Sequence, residues 1–138
     1  MEHRDDILML WVLLTPASRA ELLRRFGCTH TGRKLAEHMT VAFKPTPEEI
    51  TAFTPGEEVK LTVVGYGADD KGQAVVVEGF GSRNAIPHIT ISVAEGTKPV
   101  YSNTMLANGF VELERPFTLV GHTVAVTKRQ ERIGGPAT

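Results

Sequence analysis

Pro87-His88-Ile89-Thr90-Ile91-Ser92-Val93 is the stretch on which the reading of this chain turns. Read with period two, Ile89, Ile91 and Val93 fall on one face of a strand, and His88, Thr90 and Ser92 on the other. A strand with one apolar face packs that face on a core and turns the other outward. The pattern occurs once more, at His38-Met39-Thr40-Val41-Ala42-Phe43. There Met39, Val41 and Phe43 make the apolar face, and His38 and Thr40 share the other. Two His-x-Thr strands therefore stand fifty positions apart (88 minus 38).

Composition sets the bounds. With 138 residues, 41% of them hydrophobic and 22% charged, the chain reads as one domain, 1–138, with a real core. The core is expected over about residues 7–127 and a mobile tail over about 128–138. Fifteen basic residues against 16 acidic give a net charge of −1, which excludes a protein that grips duplex DNA through its phosphates. A lone cysteine, Cys28, forms no internal disulfide and points to a reducing, cytoplasmic compartment. The apolar run 7–14 is too short to span a bilayer and lacks the flanks of a signal peptide, so no membrane partner is expected.

Along the chain, residues 1–6 are polar and expected to fray. The run 7–14, apolar on both faces, predicts a central strand. Thr15-Pro16 predicts a helix start, residues 17–26 carry helical spacing, and Gly27 predicts the stop. A short helical turn is expected within 32–37, then the first motif strand, then one turn of helix from Thr46. Runs 59–67 and 73–80 predict a hairpin around Asp69-Asp70-Lys71-Gly72. After the second motif strand, a helix is expected over 101–106 with Ser102 or Asn103 as its cap. Strands at 110–113 and 117–126 are expected to be separated by a break at Arg115-Pro116. The two motif strands suggest a duplicated architecture, each half presenting one strand to a common groove.

An imidazole accepts and donates protons near neutrality. Phosphodiester cleavage needs a base on the attacking oxygen and an acid on the leaving oxygen, and two histidines flanking one phosphate supply both. Threonine hydroxyls two residues along can bond the non-bridging oxygens. No metal or other cofactor enters this scheme: Cys28, His30 and His38 match no ordinary zinc spacing.

His38-Met39-Thr40 and His88-Ile89-Thr90, each leading an alternating strand, resemble the paired signature of the two-histidine (2H) phosphoesterase superfamily. The resemblance implies an α+β, bilobal fold, with antiparallel sheets flanked by two or three helices around a central groove. It implies a phosphoric diester hydrolase that opens 2′,3′-cyclic phosphate RNA ends or related nucleotide phosphodiesters without metal. His38 and His88 would be its acid and base, in an order the sequence leaves open, and Thr40 and Thr90 would hold the phosphate. The competing reading is a module that binds a cyclic nucleotide or RNA end in the same groove without turnover.

Tyr101 is a candidate for base stacking, and Arg83 and Lys44 for phosphate contact. Each also has a plain structural reading, as sheet-edge packing or a solvated charge. A nucleotide or RNA terminus is thus the expected partner, and the chain is expected to be a monomer.

Overall fold

The computed structural model describes residues 4–135. The apolar run becomes strand β1 (Ile7–Leu14), and it stops where the helix signals begin. Thr15 accepts a hydrogen bond from the Ser18 backbone N–H at 3.1 Å, and α1 (Pro16–Phe26) runs until Gly27 takes a φ of +67°. The chain continues as β2 (Arg33–Lys34), β3 (His38–Phe43), α2 (Pro47–Ala52), β4 (Glu58–Ala68), β5 (Gly72–Glu78) and β6 (His88–Val93). It closes with α3 (Tyr101–Ala107), β7 (Val111–Thr127) and β8 (Arg132–Gly134). The helical turn expected from Thr46 is α2, held by a reciprocal capping box between Thr46 and Glu49.

Three local expectations are corrected. Residues 32–37 hold no helical turn, because Arg33 and Lys34 pair with Val93 and Ser92 as β2. Helix α3 is entered at Val100 without a side-chain cap, rather than at Ser102 or Asn103. Arg115-Pro116 does not break the strand. Residues 113–116 lie opposite Val64 alone, between the pairs Val63–Phe117 and Gly65–Glu112, so a wide bulge absorbs the proline.

The strand pairing corrects the global expectation. The strands run antiparallel in the order β1-β3-β6-β5-β4-β7, and β7 pairs again with β1, from Ile7–Thr127 to Leu14–Gly121. Six strands thus close into a barrel, with β2 attached to β6 and β8 attached to β7. This is not a bilobal α+β fold around a groove, and the architecture implied by the 2H phosphoesterase resemblance falls with it. The motif strands are neighbours in one wall, where Met39 pairs with Ile89. The physical reason lies in β7. Its 17 residues are long enough to pair with β4 over their first part and with β1 over their last. That second pairing removes the edge a two-lobed arrangement would leave open.

The barrel interior is filled by Val12, Leu14, Met39, Leu61, Val63, Val75, Val77, Ile89, Ile91 and Leu119, with Leu22 of α1 in the same cluster. Met39, Ile89 and Ile91 point inward as the alternation predicts, but the alternation fails just beyond. Leu10 pairs with Ala42 and Trp11 with Thr40, which leaves Val41 as an extra residue in β3. Ala42 is therefore buried, and Phe43, expected in the core, is 50% exposed. In β6 the pairs Gln73–Ser92 and Ala74–Thr90 leave Ile91 extra in the same way. Ser92, expected outside, is buried and bonds the Gln73 side chain at 2.6 Å.

The outer wall carries two apolar patches. Met105 and Leu106 of α3 cover Ala74 and Val76. Gly67 permits this approach, since a Cβ there would lie 2.7 Å from Leu106 Cδ2. The other patch is Trp11 with Val124 and Val126. Between the two lie the motif side chains.

Candidate functional site

Every ladder of the barrel except one is extended. The exception is the seam between β3 and β6, which has the single pair Met39–Ile89. On one side of it the Leu35 and Ala36 N–H groups donate to the carbonyls of Ile91 and Thr90 at 2.8 and 2.9 Å. Stepping from Ala36 opposite Thr90 to Met39 opposite Ile89 leaves Glu37 and His38 as additional residues, and Ala36 turns the chain with a φ of +56°. On the other side, the loop before β6 takes over. Ser82 Oγ and the Arg83 N–H donate to the Thr40 and Val41 carbonyls, both at 2.8 Å. The motif side chains emerge on the outer wall where the ladder is interrupted.

His38 stacks on the Trp11 ring, with centroids 4.0 Å apart and planes 12° from parallel. Its Nδ1 is buried and, among the described residues, has no hydrogen-bond partner; the same holds for Trp11 Nε1. Burial, followed by the charges of Arg132 and His88, pushes His38 down to about 4. The imidazole is therefore neutral across the physiological range. Arg132 also lies over the Trp11 ring, 5.3 Å from its centroid.

His88 is buried, and its Nδ1 lies 2.8 Å from the Ile86 carbonyl. A carbonyl only accepts, so Nδ1 carries the proton and Nε2 keeps a lone pair in the neutral ring. Burial lowers the pKa of His88, against an opposing contribution from the Ile86 hydrogen bond. Thr90 and Ser102 of α3 share a hydrogen bond of 2.8 Å between their hydroxyls. The Thr40 hydroxyl has no protein partner among the described residues.

The four motif residues thus share one stretch of outer wall, and the charge of His88 contributes to lowering His38. The supporting residues do not join them. Arg83 is bound to Glu49 and donates to the Phe43 carbonyl at 2.7 Å, so it ties β3 to α2. The Tyr101 hydroxyl donates to Asp69, and Lys71 lies over its ring, 5.5 Å from the centroid. Lys44 lies past the end of β3, at the barrel end where β1 starts. Two contributors escaped the sequence reading. Trp11 was hidden in an apolar run that reads as core. Arg132 sits in the stretch expected as a tail.

Cleavage by paired histidines requires a phosphate between two opposed imidazoles on the walls of a groove. In this chain both project from one wall of a closed barrel, so the reading of a metal-independent phosphodiesterase is corrected. Among the described residues no group of three or more His, Cys, Asp or Glu is placed to hold a metal ion. Among them, too, no helix is long and apolar enough to cross a membrane. Neither a family model nor a curated protein matches the chain, so the wall between the two apolar patches is described by its own chemistry.

Proposed function

We propose that the chain is a recognition module that takes the phosphorylated end of a nucleotide or RNA on the β3–β6 seam, with His38, Thr40, His88 and Thr90 as its contacts. The observation that carries this reading is two imidazoles, both kept neutral by burial, at the one interrupted ladder of the barrel. Water-starved rings of this kind favour a partner that brings a proton or stabilises one. A phosphate end does both: its monoanion donates to His88 Nε2, and its charge favours protonation of either ring. The unengaged Thr40 hydroxyl is available to a non-bridging oxygen, whereas Thr90 would have to release Ser102. The exposed single Cys28 accords with a reducing cytoplasm.

Trp11, the only tryptophan, stacks on His38 and supplies the readout. Titration with a short oligoribonucleotide bearing a 3′- or 5′-phosphate is expected to change Trp11 fluorescence saturably, and the same oligomer with hydroxyl ends is expected to bind at least tenfold more weakly. Replacing His88 by Ala should abolish that preference. Equal responses to phosphorylated and hydroxyl ends would sink the reading.

A further inference from the structure

At the end of the barrel where β1 begins, a cavity of about 400 Å³ opens over an apolar floor that includes Ile7, Leu8, Pro47 and Ile50. Its lining carries three cations, Arg4, Lys44 and Lys128, against one carboxylate, Asp5. Arg4 is committed, since it bonds both carboxylate oxygens of Asp6, at 2.9 and 2.7 Å. Lys44 and Lys128 make no ion pair within contact distance among the described residues, although the charge of Lys128 helps to lower the Asp6 carboxyl that Arg4 holds. Their backbones are pinned on either side of the start of β1: the Lys44 N–H donates to Leu8 and the Lys128 N–H to Asp6, both at 2.7 Å. Both lysines thus line one cavity, each from the residue just past the end of a strand, β3 for Lys44 and β7 for Lys128.

Lys44 is also held at a φ of +49°, a left-handed conformation that glycine or asparagine adopts far more readily. The Arg83 side chain bonds the carbonyl just before it, and Lys44 Nζ lies 5.5 Å from the Phe43 ring. A strained backbone with a long cationic side chain, where glycine would be easier, is the kind of outlier that marks a functional position.

We infer that this cavity is a second binding site, for a small organic anion with an apolar body and one phosphate or carboxylate head, the head held by Lys44 and Lys128. Cavities of this volume lined by apolar side chains and a few convergent polar groups take ligands of that size. The site is separate from the seam: Lys44 lies four residues beyond Thr40, roughly 13 Å along an extended chain.

The test is an amide chemical-shift titration of the full chain with phenyl phosphate, run beside inorganic phosphate and phenol. Saturable shifts are expected at Leu8, Lys44 and Ile50, at concentrations at least tenfold below those inorganic phosphate requires, with no saturation by phenol. Lys44→Gly should weaken phenyl phosphate at least tenfold while the melting temperature stays level or rises, because glycine accepts the left-handed backbone. Lys128→Ala should weaken it similarly and provides the same test if the first variant folds poorly. The proposal is overturned if phenyl phosphate does not saturate these amides, if it shifts only residues of the β3–β6 seam, or if both variants bind like wild type.

Discussion

The two His-x-Thr strands begin alike and end in different surroundings. In β3, His38 stacks on Trp11, and among the described residues its Nδ1 and the Thr40 hydroxyl have no hydrogen-bond partner. In β6, His88 is tethered to the Ile86 carbonyl and Thr90 to Ser102 of α3. Each motif is followed at once by an extra residue, Val41 or Ile91, that ends the clean alternation. The His88 and Thr90 side chains are therefore fixed by hydrogen bonds, whereas among the described residues the His38 ring is held by stacking and the Thr40 hydroxyl by no protein partner. A shared His-x-Thr pattern does not make the two histidines equivalent, because the neighbouring strands and helix supply the difference.

The largest expected effects come where the two strands touch. Met39 and Ile89 are fully buried and meet at the single pair of the seam. Met39→Ala or Ile89→Ala should each cost about 2–5 kcal/mol in urea unfolding. Phe43→Ala, at the exposed end of the same strand, should change stability by under about 0.5 kcal/mol. Similar losses at Phe43 and Met39 would show that the bulge at Val41 is misplaced.

Acid should act chiefly through the β3 half. The unfolded chain protonates His38 near 6.5, while the fold keeps the ring neutral down to about 4. The unfolded state thus binds more protons in that window, so stability is full above about pH 6.5 and falls as pH drops towards 4. At about 1.4 kcal/mol per pH unit the loss is on the order of 3 kcal/mol. His88, also lowered, adds in the same direction. His38→Phe keeps a stacking ring without the titration and should flatten most of this dependence, measured by urea unfolding at pH 7 and pH 4.5. An unchanged slope would place the acid sensitivity elsewhere.

The hydroxyls give the smallest contrast. Thr90→Val breaks the bond to Ser102 and should cost about 1 kcal/mol, whereas Thr40→Val removes no hydrogen bond among the described residues and should be close to neutral. Equal costs would mean that the two halves are more alike than their surroundings indicate.

Much of the local structure was legible in the sequence. Thr15-Pro16, the alternation at Met39 and Ile89, and the hairpin over β4 and β5 rest on capping and periodicity, which act over a few residues. What was not legible depended on partners far along the chain. Nothing within residues 111–127 announces that their last part pairs with β1, and that pairing turns two expected lobes into a barrel. The bulges at Val41 and Ile91 depend on β1 and β5, so Phe43 and Ser92 were assigned to the wrong side. The pattern that sets the two motif strands side by side was legible, but the phosphodiesterase chemistry read from it was not correct. The neutral state of His38 follows first from burial, under the stacked ring of Trp11 27 residues before it (38 minus 11), and then from the charge of Arg132, 94 residues after it (132 minus 38).

The most direct test of the account is the titration of the two imidazoles by NMR, with and without a 3′-phosphorylated dinucleotide. The free protein should show His38 titrating near 4 and His88 below its ordinary value of 6.5. The ligand should move at least one of them upward, so that its affinity rises as pH falls from 8 to 6. Two rings titrating near 6.5, unmoved by the dinucleotide, would contradict both the buried seam and its role in recognition.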